Sequence, residues 1–446
     1  MLNTINRVYL LTAILLYTIL AFKAQTNYFL VNLYAVISFI SYFVIIYINS
    51  NLEDSYYSYF YLAIEVFFYV TIFVFLENVL SYYYRGNFFV FSEGDAITYH
   101  TFAKTIVQMP FSKGIEYYLN FLGFDDLGMM LVLYPLYLIV KSNLILNIFY
   151  IFVAVVTALS LFSLAQNFLS KRYAFLASLA YSLASFTLFF YASGLKESFM
   201  IMLIVLSYDF IYRFLKTKNL SFLFLGAIPL FLIIFFRPAL TAMIILSFAI
   251  GAMFSQKGGI VVKILAVVIF LGLFAFSGQI MKMVNSYMAG GFDALIYARE
   301  TQGMIKGGLP FTYMVNFISQ TIGPLPTLSS PSNIVAMLYA PGLIYRVLLA
   351  IPFWLGVYYI YKKKEVLIYP ITIFVFTEMA SLIFLIDGLE LRKCMPHMPF
   401  VFLIAFWFMD KYEKKEISIK NPQRFMEAFF IALFLLLFMM VYWNFR

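Results

Sequence analysis

The sequence predicts an all-α protein that crosses a membrane about thirteen times, and three observations carry that expectation. Of the 446 residues, 64% are hydrophobic and 11% charged, whereas a soluble domain has roughly 45–50% apolar and about 25% charged residues. Apolar runs of about 20 residues recur from end to end, each long enough to cross a ~30 Å hydrocarbon layer as a helix. A spanning β-barrel would instead show short segments of alternating hydrophobicity, and the chain does not.

In order, the first run (7–22) follows Arg7. With no small-residue cleavage site behind it, it reads as a retained helix rather than a removed signal peptide. Together with 26–48 it makes an N-terminal hairpin, 1–56. A core over 57–255 follows, with spans at 57–80, 144–168, 173–192, 196–213, 219–236 and 238–255 around a long polar segment, 81–143. The C-terminal part, 256–446, adds spans at 261–278, 339–361, 366–386, 394–410 and 425–443 around a second long segment, 279–338. No internal repeat is visible, and no linker sets off a soluble domain, so 1–446 reads as one integral-membrane domain.

Lys and Arg in short loops set the orientation. One set of alternate loops carries Lys171 and Arg172; Arg213, Lys216 and Lys218; Lys257 and Lys263; Lys362, Lys363 and Lys364; and Lys411, Lys414, Lys415, Lys420 and Arg424. That face reads as cytoplasmic, with the N-terminus inside and the C-terminus outside. The net charge of +9 is accounted for by these loops, so a nucleic-acid partner is not needed to explain it. The stretch LGMMLVLYPLYLIVK (127–141) is short, contains Pro135, and would invert every later loop if it crossed. It is expected to lie on or dip into the outer interface; the alternative, that it crosses and another segment does not, stays open. A single cysteine, Cys394, rules out an intramolecular disulfide, and two histidines, His100 and His397, argue against a His-based metal site.

The scarce polar chemistry gathers on the face read as outer. Glu93, Asp95, Tyr99, His100 and Lys104 crowd into FSEGDAITYHTFAK. Asp95 precedes a helix-like stretch, where a carboxylate commonly caps backbone N–H groups. Tyr99, four residues on, shares its helical side. There the carboxylate could instead take the proton of a hydroxyl nucleophile, or hold a divalent ion against phosphate. In YASGLKESFM, Glu197 suits the positive end of a helix dipole, but Lys196 does not; an anion nearby would repair that mismatch. Arg237 in FFRPAL sits between two apolar runs, placed either to snorkel or to fork onto a lipid phosphate.

The turn LIDGLELRKCMPHMPF holds Asp387, Glu390, Arg392, Lys393 and His397, and its two adjacent cations break the positive-inside pattern. Local Glu390–Lys393 pairing or anion binding would explain them. The 279–338 segment offers Asp293, Arg299, Glu300 and Lys306, and its GPLPTLSSPSN stretch reads as loop. Glu65 and Glu378 fall inside spans, where an acid is a functional candidate, though no ladder of such groups is evident.

The run of an Asp-x-x-x-Tyr first loop, an interfacial YPLYLIVK, and then LILNIFYIFVAVVTALSLFSLAQNFLSKRYAFLASLAYSLASFTLFFYASGLKESFMIMLIVLSYDFIYRF resembles the GT-C superfamily of integral-membrane glycosyltransferases. The nearer likeness is to the branch related to protein O-mannosyltransferases and the aminoarabinose transferases of lipid A, over about residues 57–250. The chain is also similar to membrane proteins of bacterial surface-polysaccharide clusters. It departs from the family's pattern in having two spans before the helix leading into the first loop, and in lacking a soluble C-terminal domain.

The resemblance implies transfer of a sugar from a polyprenyl-phosphate carrier to a lipid, glycan or protein acceptor. The reaction would take place on the non-cytoplasmic face of a bacterial inner membrane. It maps the family's first-loop acid onto Asp95, as catalytic base or metal-associated carboxylate, and Glu197 joins it as a candidate second catalytic acid. Tyr99, His100, Lys196, Arg237, Arg299, Arg392 and Lys393 are candidate substrate- or phosphate-binding residues by position. No metal ligand is assigned; a divalent cation is compatible with the sequence but not required by it. A polymerase joining lipid-linked repeat units is the alternative, and a lipid-linked oligosaccharide flippase or transporter comes third. The last would favour internal repeats and paired broken helices, neither evident here.

Overall fold

The computed structural model describes residues 1–23, 29–89, 94–122, 126–254, 292–305, 307–327, 334–417 and 419–445, and among them there is no strand. The expected span at 261–278 and the loop cations Lys257 and Lys263 lie outside the described residues. Helices α1 to α7 run Leu2–Lys23, Phe29–Asn49, Tyr59–Arg85, Asp95–Ile106, Phe111–Leu122, Leu127–Ile139 and Asn143–Ala165. Next come α8 (Lys171–Ser182), α9 (Ser185–Ser193), α10 (Glu197–Thr217), α11 (Leu220–Ile233) and α12 (Pro238–Phe254). The rest are α13 (Phe292–Thr301), α14 (Leu309–Ile322), α15 (Ile334–Leu348), α16 (Ala350–Lys363), α17 (Tyr369–Phe384), α18 (Met398–Glu413) and α19 (Pro422–Phe445).

Among the described residues six segments are long and apolar enough to cross a membrane, α2, α3, α7, α10, α17 together with the 3-10 turn Val366–Ile368 before it, and α19; counting the bent pairs α8–α9 and α15–α16 as one span each gives eight. The expectation of thirteen is thus met only in part. Expected spans 219–236 and 238–255 appear as helices of 14 and 17 residues, below the ~20 of a full crossing. Expected span 173–192 is broken. Ala184 takes an extended conformation (φ −61°, ψ 135°), and α8 and α9 meet at 53°.

Two compact units emerge. The first comprises 1–238, 325–356 and 402–446, and the second 239–324 and 357–401. In the first, α8, α9, α15 and the part of α18 over 402–410 are almost wholly buried, and α3 packs on α7 and α9. Ser58 caps α3 by accepting from Tyr61 N–H, and Gly86 ends it at φ 70°, a conformation that glycine takes without strain. The break after α8 is stitched to α15: Ser185 Oγ donates to Tyr339 O and accepts from Gly342 N–H, both at 2.8 Å. A Cβ on Gly342 would lie 2.8 Å from Ser185 N, so only glycine permits this approach.

The chain's alternation sorts its loops to two ends of this unit. At one end Arg172 Nη2 donates to Ser50 O at 2.6 Å, and Ser170 N–H and Oγ donate to Asp410 at 2.8 and 2.7 Å. At the other end Asn143 Nδ2 donates to Phe88 O at 3.1 Å, and Tyr150 OH donates to Leu195 O at 2.8 Å. Lys196, next in the chain, reaches Asp126 there. Asp126 leads into α6 and Asn143 begins α7, so α6 enters and leaves at the same end. Its 13 residues rise only about 20 Å, in keeping with the expectation that 127–141 dips rather than crosses.

In the second unit the 279–338 segment is not simply a loop, since its described part contains α13 and α14. Helix α14 is turned inside out: Thr312, Asn316, Ser319 and Gln320 are buried, while Phe311, Met314 and Phe317 are exposed. Ser319 Oγ and Gln320 Nε2 donate to Gly388 O at 2.8 and 2.7 Å, which fixes the turn after α17.

Candidate functional site

Helices α4, α5 and α6 pack together around Ile106, Tyr118, Leu127 and Met130, with Phe235 set against them. This apolar knot holds the polar groups in place. At the start of α6, Gly128 N–H donates to Phe235 O at 2.8 Å, and a Cβ on Gly128 would lie 2.4 Å from the Phe236 ring. The contact therefore ties the α11–α12 turn, and with it Arg237, to the stretch that carries Asp126.

Asp126 is the centre of the site. Its Oδ1 accepts from the Tyr99 hydroxyl at 2.8 Å and from Lys196 Nζ at 2.5 Å. The carboxylate repairs the mismatch of a lysine at the N-terminus of α10, so that cation has an internal counterion. Burial, and then the negative charges of Asp126, Glu197 and Asp95, hold the Tyr99 hydroxyl far above its ordinary value. Tyr99 thus stays protonated and donates, with three acids in electrostatic reach.

Asp95 is the first residue of α4 and is exposed, while Gly94 (φ 94°) occupies the cap position. Glu197, the first residue of α10, is buried at the positive end of the helix dipole. His100 is half-buried and joins α4 to α6, its Nδ1 2.7 Å from the Tyr137 hydroxyl. Burial, and then Lys104, push its pKa below the ordinary 6.5, which keeps the imidazole neutral at pH 7. Partly buried Arg237 closes the α11 turn with its N–H on Ile233 O at 2.8 Å. Its guanidinium makes no hydrogen bond or ion pair among the described residues.

The remaining candidates belong to the second unit and form their own cluster. Arg299 Nη2 and Lys393 Nζ hold the two oxygens of Asp387 at 2.7 and 3.2 Å. Glu390 takes Arg392 at 3.0 Å and Lys393 at 3.6 Å. Three cations therefore share two carboxylates. Nearby in the chain, Glu378 and His397 are buried 3.2 Å apart. Glu93 and Lys306 lie outside the described residues.

Asp126, Glu77 and Arg346 were not singled out from sequence. A signal existed for each: the acid doublet in FDDLGMM, and single charges inside the apolar runs IFVFLENVL and LIYRVLLA. Arg346 is fully buried, 5.9 Å over the Phe353 ring, and Glu77 accepts from the Tyr34 hydroxyl. A cavity of about 480 Å³ lined by Ser58, Tyr59, Gln166, Leu169 and Lys171 opens at the end of the first unit opposite Asp126. Among the described residues no three His, Cys, Asp or Glu side chains gather as a metal cage. No protein-family model matches the chain, nor does any curated protein or solved structure.

Proposed function

We propose that the protein is a membrane-embedded glycosyltransferase that moves a sugar from a polyprenyl-phosphate-linked donor to a lipid or glycan acceptor. One observation carries this reading: Lys196, Asp126 and Tyr99 are bonded in sequence at one end of a membrane-spanning bundle, with Asp95 and Glu197 in electrostatic reach. The charge pattern of the loops makes that end the non-cytoplasmic one. The acceptor hydroxyl attacks the anomeric carbon, the bond from that carbon to the phosphate oxygen breaks, and the hydroxyl proton passes to exposed Asp95. The polyprenyl phosphate leaves with its new charge facing Arg237. Asp126 and Lys196 hold Tyr99 as a fixed donor toward the acceptor. Such an enzyme serves surface polysaccharide or glycolipid assembly in a bacterial inner membrane.

The test uses purified protein in lipid nanodiscs, supplied with polyprenyl-phosphate-linked hexoses and a lipid acceptor. Asp95→Asn is expected to lose transfer by at least about a hundredfold, the scale of general-base catalysis, with an unchanged melting temperature. Full transfer in that variant would refute the assignment of the base. A ladder of products in place of single addition would identify a repeat-unit polymerase.

A transporter of lipid-linked sugars is the second reading, favoured by the broken α8–α9 and bent α15–α16 spans joined through Ser185. Discontinuous helices are where transporters place their sites. Movement of the lipid-linked sugar without bond formation would decide for it.

A further inference from the structure

The cavity opposite Asp126 opens where α3 begins and the turn from α7 to α8 passes beside it. Buried Leu169 is its apolar wall, and the other lining side chains, Ser58, Tyr59, Gln166 and Lys171, each have a proton to donate. Ser58 Oγ accepts from Tyr61 N–H, which leaves its own hydroxyl proton for another partner. The Tyr59 hydroxyl, the Gln166 amide and the Lys171 ammonium make no hydrogen bond or ion pair among the described residues. No carboxylate lines the space among those residues.

The cations beside Lys171 are engaged elsewhere. Arg172 Nη1 donates to Glu413 at 2.9 Å and its Nη2 to Ser50 O at 2.6 Å, while Lys414 Nζ lies 3.3 Å from Asp410. Lys171 alone of these three faces the cavity. Donors gathered around one positive charge, with no acid among them, suit an oxyanion, and charge-assisted bonds are roughly twice as strong as neutral ones. The volume of about 480 Å³ falls within the roughly 300–1,000 Å³ of small-molecule sites.

The surroundings of the cavity decide which oxyanion. Its end of the unit carries the loop cations that mark the cytoplasmic side, where anionic lipids give the membrane surface its negative potential. The Tyr59 ring meets Phe162 edge-on at 4.8 Å, so the cavity adjoins the seam between α3 and α7. Along that seam both helices expose apolar rows, Phe60, Ile64 and Phe68 on α3 and Phe152 and Val156 on α7. The rows meet where the Phe67 and Phe152 rings lie 6.4 Å apart. From Tyr59 to Phe67 the helix rises about 12 Å, close to the ~15 Å depth of one hydrocarbon leaflet.

We propose that this cavity binds the headgroup of an anionic phospholipid of the cytoplasmic leaflet. The phosphate oxygens accept from Lys171 Nζ, the Gln166 amide and the hydroxyls of Ser58 and Tyr59, and one acyl chain lies along the α3–α7 seam. A zwitterionic lipid would bring its own ammonium beside Lys171 and is disfavoured. A soluble phosphate would leave the apolar rows unused. The site stands whether or not the chain transfers sugar.

The test uses the full chain in nanodiscs of phosphatidylcholine with a trace of phosphatidylglycerol that carries a diazirine on one acyl chain near the glycerol. After illumination, peptide mass spectrometry is expected to find the label on 58–68 and 152–171. Unlabelled phosphatidylglycerol should displace it, whereas the same excess of phosphatidylcholine, or glycerol phosphate in the buffer, should not. Lys171→Gln, at an exposed position, is expected to lower labelling about fivefold, the effect of one lysine at an anionic surface. Lys216→Gln, which removes the same charge from an exposed position away from the cavity, should leave it unchanged. Equal displacement by phosphatidylcholine would show a general lipid contact, and displacement by glycerol phosphate a soluble ligand. Either result, label confined to other segments, or full labelling of Lys171→Gln would overturn the proposal.

Discussion

Lys196 and Asp126 are expected to behave as one unit, and a double-mutant cycle measures it. Their side chains are 12% and 21% exposed at an N–O distance of 2.5 Å, which places the pair between two limits. Breaking a fully buried pair costs about 3–5 kcal/mol, and an exposed pair contributes roughly 0–1 kcal/mol. With solvent reaching a minor part of each side chain, a loss of about 2 kcal/mol per single variant is expected. Lys196→Met leaves the Asp126 carboxylate with the Tyr99 hydroxyl as its donor. Asp126→Asn leaves an ammonium at the positive end of α10, eased by Glu197 beside it in the chain. The double variant removes both charges, so it should also lose about 2 kcal/mol rather than about 4, a coupling of about 2 kcal/mol. Thermal unfolding in detergent, followed by circular dichroism, reads the three variants against wild type. Losses that simply add in the double variant would show that the two groups stabilise the fold separately, and the site would lose its centre.

Two further outcomes follow from the same region. Because His100 is held below 6.5 when folded, the unfolded chain binds more protons just below that pH. Stability is therefore lost as pH falls through 6.5 toward the folded value. Melting between about pH 5 and 8 should show this slope in wild type, and His100→Gln should flatten it. Gly128→Ala drives a methyl to 2.4 Å from the Phe236 ring and should cost about 1–3 kcal/mol. Combining it with Phe236→Leu should recover most of that loss in melting temperature.

The class was legible because hydrocarbon imposes a length and composition that few other environments require. Loop charges sorted the turns correctly in the first unit: Lys171, Arg172, Lys411 and Lys414 do share an end, since their neighbours Ser50, Asp410 and Glu413 are bonded there. The number of spans was less legible. Local hydropathy records neither the extended Ala184 that breaks α8 from α9 nor the short α11. Nor does it show that α14 buries its polar side, because burial of Asn316 and Gln320 depends on Gly388 arriving from the far side of α17. Asp126 is hidden in the sequence for a related reason. A charge just before an apolar helix reads as an ordinary flank, and only the return of the chain at Lys196 makes it a centre. Tyr99 was placed on the side of Asp95, yet its bond goes to an acid 27 residues away.

These pairings alter which cation is left to meet a phosphate. An ammonium already 2.5 Å from a carboxylate must give up that bond, or receive an anion beside another anion, before it binds a second one. Lys196 is in that position. In the second unit Arg299, Arg392 and Lys393 are too, each bonded to Asp387 or Glu390. Position in sequence made all of them equal candidates with Arg237, but the charges around them do not. Arg237 carries no carboxylate among the described residues, and its turn is tied through Phe235 to the strand of chain that carries Asp126. Its planar fork suits a phosphate monoanion or dianion without a prior exchange of partners. A phosphate would meet Arg237 without displacing a carboxylate of the described residues. Lys196 instead holds Asp126 beside Tyr99, so Lys196 and Arg237 differ in the charges that surround them.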